Sequence, residues 1–366
     1  MLLSVLGMQS SISLSIAKIV EIIAQNTLGE TASITAAGIE PLRDAWATIP
    51  ASSRKAVVLY SDCPQSALIK LLIDSGAAAV LCLDDYPTVV GFQMANTGKG
   101  FIHSVRTAAM MLMPIEEIMQ SDKLHIITPE KYDVPVTEIL SDLIDFYRIP
   151  CSESQFSTIL ERVSYGAGTE ATLHDFIAGQ FPEWKSPSTA LNALTRQDRK
   201  LMSDLGQTYT LITERRRIDE IYWHRQFFQN GDVPNRQLEG TTILTGPARY
   251  VFFGPYLHLP RGTWNAEVQI ELLDCRSDTI AFADVFIGQT LNAVTMRFPR
   301  QGVYAFDLTF KVEDPLKNVE IRLHLLKGAI EGEMLLRGAK LTRILDESVM
   351  AKEHTLAVTQ RQIGAD

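Results

Sequence analysis

The sequence predicts two unlike folds in one chain: an α/β domain built on a parallel sheet, then a helical connector, then an all-β antiparallel sandwich or jelly roll. Three observations predict it. Residues 1 to about 165 alternate short apolar runs with segments of helical period, as strands do when helices cover both faces of their sheet. From about 166 to 236 the period is helical and charges are frequent. Beyond Gly240, eight β-rich segments follow one another in about 105 residues with no helical pattern between them.

The elements follow in order. VLGMQSSISLSIAKIVEIIA (Val5–Ala24) is a strand end, a turn at Gly7 and an amphipathic helix. AVVLYS (Ala56–Ser61) is a buried strand, SALIKLLIDSG a helix closed by Gly76, and AAAVLCLDD a second strand. KLHIIT (Lys123–Thr128) is a third, and VTEILSDLIDFYRI (Val136–Ile149) an amphipathic helix. A Ser-Pro start at Ser186 opens a long helix-period stretch. Its end, TERRRIDEIYWHRQF, places Ile218, Ile221, Tyr222 and Arg225 on the face of a helix docked between two domains. The arginines there, with Tyr222, Trp223 and Phe227, equally offer contacts to anions or sugar rings. GDVPNRQLEG (Gly231–Gly240) is the best domain boundary. The expected division is 1–215 for the α/β domain, 216–239 for the connector, 240–346 for the sandwich and 347–366 for a solvated tail. Alternation is clearest in VYAFDLTFKV and VEIRLHLL.

Bulk properties narrow the function. With 366 residues, 46% hydrophobic and 21% charged, the chain has the composition of a globular protein of two domains. A formal charge of −9 provides no global field for nucleic acid or anionic membrane, and neither is expected as a partner. No run reaches the roughly 18–20 apolar residues of a membrane span. Met1–Ala17 has no basic flank or small-residue cleavage site. The four cysteines, Cys63, Cys82, Cys151 and Cys275, lack metal-ligand spacing, and free thiols suit a cytoplasmic location. The seven histidines show no ligand spacing either, so no metal site is expected.

The turn after the first strand reads Gly7, Met8, Gln9, Ser10, Ser11, Ile12, Ser13, Leu14. Bacterial sulfotransferases have a similar loop, G-M-H-R-S-G-T-S. The stretch from Ile126 to Leu160 follows the order of elements around that family's acidic loop. Residues 1–215 thus resemble a sulfotransferase, which implies a cradle for 3′-phosphoadenosine-5′-phosphosulfate at a helix N-terminus. The chemistry departs from the family. Its basic position falls on Ser10 and its glycine on Ile12, a β-branched residue that resists positive φ. In LDDYPTVVGFQ, Asp85 stands where the family has the arginine of an R-x-P turn, and Gln93 near its serine. The resemblance therefore implies a vestigial phosphate loop at Gly7, Ser10, Ser11 and Ser13, with no catalytic residue and no cofactor. Asp84 and Asp85 read as a solvated loop, or as a metal or sugar site at a strand end. The alternative is an active transferase acting on a saccharide. It needs Lys18, Lys99 or Arg106 in place of the lost phosphate contacts, with His103 as a base.

In Ile243–Leu272, residues Tyr256, Leu259, Pro260, Gly262 and Trp264 resemble a turn and strand of β-sandwich domains attached to bacterial polysaccharide enzymes. The resemblance to carbohydrate-binding modules implies aromatic faces that meet sugar rings. The candidates are Tyr250, Tyr256, His258, Arg261 and Trp264, with Asp284 and Arg322 as polar partners. Against each stands a plainer role: Trp264 filling the core, the tyrosines stapling a corner, Arg322 facing solvent or pairing with Glu320. The combined expectation is a non-catalytic protein of bacterial surface-polysaccharide biosynthesis or modification that binds a glycan or a polysaccharide-synthesis enzyme. A structural assembly protein, with the sandwich as a homo-oligomer interface, is the third reading.

Overall fold

The apolar runs of the first half become one parallel sheet. Its strands are β1 (Leu2–Gly7), β2 (Thr31–Thr35), β3 (Ala56–Ser61), β4 (Ala79–Cys82) and β5 (Leu124–Ile127), in the order β2-β3-β1-β4-β5. The structure is a computed structural model that describes residues 1–50, 54–119, 121–233, 235–275, 279–298, 300–344 and 361–362. Strands β3 and β4 are buried along their whole length and β1 nearly so, because helices cover both faces. The edge strand β2 is polar and half exposed, and no apolar run announces it. Helix α1 (Ser11–Thr27) lays Ile12, Ile16, Ile19, Val20 and Ile23 into the core, which Leu140 and Leu143 of the helix Val136–Tyr147 also enter. The chain leaves β1 for β2 and β3 on one side, and reaches β4 and β5 on the other. The ends of β1 and β4 therefore meet at the switch point of the sheet, where α/β folds place ligands.

The second half forms two antiparallel sheets packed as a sandwich. Its strands are β6 (Glu220–His224), β7 (Gln229–Asn230), β8 (Thr242–Ile243), β9 (Tyr250–Phe253), β10 (Pro255–Leu257), β11 (Gly262–Leu273), β12 (Thr279–Phe286), β13 (Thr290–Phe298), β14 (Gly302–Val312), β15 (Val319–Leu325), β16 (Glu333–Ile344) and β17 (Arg361–Gln362). One sheet runs β13-β12-β15-β9-β7, with β10 beside β15. The other runs β17-β14-β11-β16-β6, with β8 beside β16. Period-two alternation drives the assembly. Trp264, Ala266, Val268 and Ile270 of β11 turn inward, as do Ile321, Leu323 and Leu325 of β15, and all are buried.

The helical connector requires correction. Helices occupy Leu173–Gln180, Pro187–Asn192 and Arg196–Thr213, but within the segment expected to continue them through Ile218, Tyr222 and Arg225, residues Glu220–His224 form strand β6 and Arg225–Phe227 a short 3-10 helix. It pairs with β16 from His224 opposite Gly338 to Glu220 opposite Thr342. Ile221 and Trp223 are fully buried while Glu220 and Tyr222 are exposed, a period of two that a helix cannot supply. The loop Gly231–Gly240 is also not a boundary. It lies within the second compact unit, where Asn230 N–H donates to the Arg236 carbonyl and Leu238 N–H to the Phe228 carbonyl. The first unit comprises Met1–Gly206 and Ile212–Arg215; the second takes Gln207–Leu211 and the chain from Arg216 onward. The tail expected from Asp346 lies outside the described residues, apart from β17, which pairs with Tyr304 and Ala305.

Replacing Trp223 by Ala should cost about 3–5 kcal/mol, the usual range for a large aromatic removed from a core. Glu220→Ala should stay within about 0.5 kcal/mol. A helix would put these two positions on one face and give them similar costs. Denaturant unfolding of both variants decides between the two.

Candidate functional site

At the switch point, Ser10 caps α1 with extended backbone. Its N–H donates to Ser13 Oγ at 3.3 Å; the Ser13 hydroxyl turns back to the Met8 carbonyl and lies 3.3 Å from the Tyr60 hydroxyl. Ser11 Oγ donates to the Tyr132 hydroxyl at 2.8 Å, and Tyr132 donates to Asp84 Oδ2 at 2.8 Å. The Asp85 N–H donates to Asp84 Oδ1 at 3.0 Å, and the Ser10 hydroxyl lies against the same carboxyl. Asp84 is 1% exposed. Burial pushes its carboxyl up to about 7, against the opposing pull of the Tyr132 hydrogen bond. Gly7 serves strand packing, since a Cβ there would lie 2.5 Å from the Cys82 carbonyl oxygen.

A phosphate at this turn needs N–H and O–H donors directed at it and a cation beside it. Three of its donors are committed elsewhere: Ser13 to Met8, Ser11 to Tyr132, and the Gln9 N–H to Met111 Sδ at 3.3 Å. Gln93 is buried and donates to Gln9 Oε1 at 2.8 Å. Asp85 caps the helix Tyr86–Thr97, accepting from Thr88 N–H at 2.9 Å. Lys18 is paired with Glu21 at 2.8 Å, while Lys99 and Arg106 sit beside His103. A buried carboxyl and neutral hydroxyls form the surroundings of the turn. That set does not fit the phosphate end of 3′-phosphoadenosine-5′-phosphosulfate. Among the described residues, no group of three or more His, Cys, Asp or Glu side chains is arranged to hold a metal ion, and no helix is long and apolar enough to cross a membrane.

The sandwich presents a different site on the outer face of β12 and β15. Their ladder sets Asp284 directly opposite Arg322. Arg322 Nε donates to Asp284 Oδ1 at 2.9 Å and Nη2 to Oδ2 at 2.5 Å, and Thr290 Oγ1 donates to Oδ2 at 2.8 Å. The bidentate pair balances a carboxylate whose side chain is only 3% exposed. The guanidinium lies 4.1 Å from the Phe286 ring centre and 6.0 Å from that of Tyr250. Its Nη1 has no protein partner among the described residues. Rings continue along the face: Tyr256 to Phe253 at 6.3 Å, Phe253 to Tyr250 at 6.4 Å, and Tyr250 to His324 at 5.0 Å. Tyr250 is 44% exposed. Tyr256 holds left-handed backbone (φ 61°) where the register of β10 on β15 shifts, a conformation that costs a non-glycine residue about 1–3 kcal/mol. Its hydroxyl is hydrogen-bonded to Glu320, the next outward position of β15 before Arg322. Burial raises the Glu320 carboxyl above its ordinary range, although Arg322 and Tyr256 act to lower it. An exposed ring beside fixed polar groups can stack on one face of a sugar and hydrogen-bond to its hydroxyls.

The structure brings Tyr250, Tyr256, Asp284 and Arg322 together on this face. Two candidates are corrected. Trp264 is fully buried in the sandwich core, its Nε1 donating to the Pro260 carbonyl at 3.0 Å. His258 is buried, with Nδ1 3.1 Å from the Pro315 carbonyl oxygen, and burial pushes its imidazole down to about 4. Neither can touch a ligand. Arg261 is exposed in the turn before β11, on the other sheet. Arg322 pairs with Asp284 across the ladder rather than with Glu320 along its own strand. Phe253, Phe286, Thr290, Glu320 and His324 were not singled out for binding. The strand period marks Glu320, Arg322 and His324 as one outward set, but only the register identifies their neighbours.

No family model matches the chain, and no curated protein matches it. Solved structures resemble its two parts separately. For the N-terminal part these include the mouse sulfotransferase SULT7A1 complexed with PAP, at 10% identity, covering 58% of this chain and 88% of that one with a TM-score of 0.38. Retinol dehydratase in complex with retinol and PAP shows 11% identity, 58% and 80% coverage and a TM-score of 0.35. For the C-terminal part, TmCBM61 in complex with beta-1,4-galactotriose shows 13% identity, 32% and 81% coverage and a TM-score of 0.22.

The Asp84 carboxyl titrates near 3.8 when unfolded and near 7 when folded. Its contribution to stability is therefore complete below pH 3.8, declines as pH rises, and is lost above pH 7. Asp84→Asn, which keeps the side chain neutral, should match the wild type near pH 4 and exceed it at pH 8 by at most ~4 kcal/mol. Thermal unfolding of both proteins across this range checks the sign: a gap that does not widen with pH contradicts it.

Proposed function

We propose that the chain is a non-catalytic saccharide-binding protein whose binding surface is the outer face of β12 and β15. One observation carries the reading. Asp284 fixes the Arg322 guanidinium, whose Nη1 remains able to donate, beside the exposed ring of Tyr250. Sugar recognition calls for a rigid aromatic face and a few polar groups whose geometry is set before the ligand arrives. Here the ion pair and Thr290 do the setting, and the row of rings supplies the platform. The first unit acts in this reading as a scaffold, with Asp84 and the hydroxyls around it closing the turn to phosphate. Service in surface-polysaccharide biosynthesis or modification, with a synthesis enzyme as a second partner, is the finer part of the same proposal.

Screening the purified chain on an array of neutral and acidic glycans, followed by calorimetry with the best ligand, tests it. Tyr250→Ala should weaken binding at least tenfold, or about 1.4 kcal/mol. Arg322→Lys, which keeps the charge but not the planar fork, should weaken it by a similar factor. A folded chain that binds no saccharide, or a Tyr250→Ala variant that binds as well as the wild type, overturns the proposal.

A further inference from the structure

The polar groups of this face are not matched in charge. Arg322 is engaged twice by Asp284, so its positive charge is largely neutralised within the protein. Glu320 stands at the adjacent outward position of the same strand and adds a second carboxyl beside one guanidinium. Asp284 and Glu320 repel each other there. The Tyr256 hydroxyl, a donor that an anionic ligand would use, is hydrogen-bonded to Glu320. Arg249, which precedes Tyr250, is bound to Asp232, with Nη2 3.3 Å from Oδ2 and a second contact through Nε.

We infer that this face selects uncharged saccharides and rejects uronates and sulfate esters, and that Glu320 is the residue that sets the rejection. The inference rests on the saccharide reading above. An anionic substituent placed over Tyr250 gains Nη1 hydrogen bonds from a guanidinium already paired, and meets a carboxylate in surroundings drier than bulk water. A hydroxyl at the same place gains the same hydrogen bonds without the repulsion. Specificity of this kind comes from a charge placed against the wrong ligand.

The experiment takes the best neutral oligosaccharide from the array and its sulfated or C6-oxidised counterpart, and measures both by calorimetry. At low salt the acidic form should bind at least tenfold more weakly, and salt should narrow the gap by screening the repulsion. Glu320→Gln should narrow it as well. Tyr256→Phe removes the hydrogen bond but leaves the carboxylate, and should preserve the gap. Equal or tighter binding of the acidic form overturns the inference and leaves the saccharide reading standing. So does a gap that Glu320→Gln leaves unchanged, whether or not salt narrows it. If neither form of any saccharide binds, the saccharide reading fails and the inference fails with it.

Discussion

A carboxyl withdrawn from water must find a cation or keep a proton, and the two halves of this chain answer that constraint differently. In the sandwich, Asp284 finds a guanidinium across the ladder. Its burial is tolerable only while β12 and β15 hold their register, because a slip of one residue would set Ala283 or Val285 opposite Arg322 and reverse the faces. The order of the outer face and the closure of the core are thus one fact seen from two sides. In the α/β unit, Asp84 has hydroxyls and one backbone N–H but, among the described residues, no cation, and it holds its proton up to about pH 7. The Ser11 and Tyr132 hydroxyls beside α1 are thus arranged around a carboxyl of the protein's own.

Much of the architecture was legible because the core is written in runs and alternations. AVVLYS gives β3 residue for residue, and each of the eight β-rich segments after Gly240 contains a strand. What failed, failed for physical reasons. Strand β2 lies at an edge, half wet, and carries no apolar signature. Strand β6 is too short for its period to be unambiguous, and the partner that makes it a strand lies far along the chain on β16.

The candidate site was legible in residue types and only partly in position. Tyr250, Tyr256, Asp284 and Arg322 could be named from the sequence, but the pairing that unites them is a property of register. Trp264 takes the plainer of its two expected roles, and the sequence holds the reason: in TWNAEVQIELL it shares parity with Ala266, Val268 and Ile270, and faces the core with them. In the first unit, a strand, a turn and a helix can be kept by hydrophobic packing alone. Gly7 illustrates this, held to glycine by the Cys82 carbonyl rather than by any ligand.

Strand β6 also limits where the chain can be cut. It covers β16 from Gly338 to Thr342 and contributes Trp223 to the interior, yet it precedes the loop Gly231–Gly240 that resembles a domain junction. A fragment cut at Gly240 to isolate the sandwich would leave this stretch of β16 as a bare edge above a hole the size of an indole. Such edges recruit strands from neighbouring molecules. The expected product is an aggregating solution rather than a soluble module, and the smallest separable piece begins ahead of Glu220.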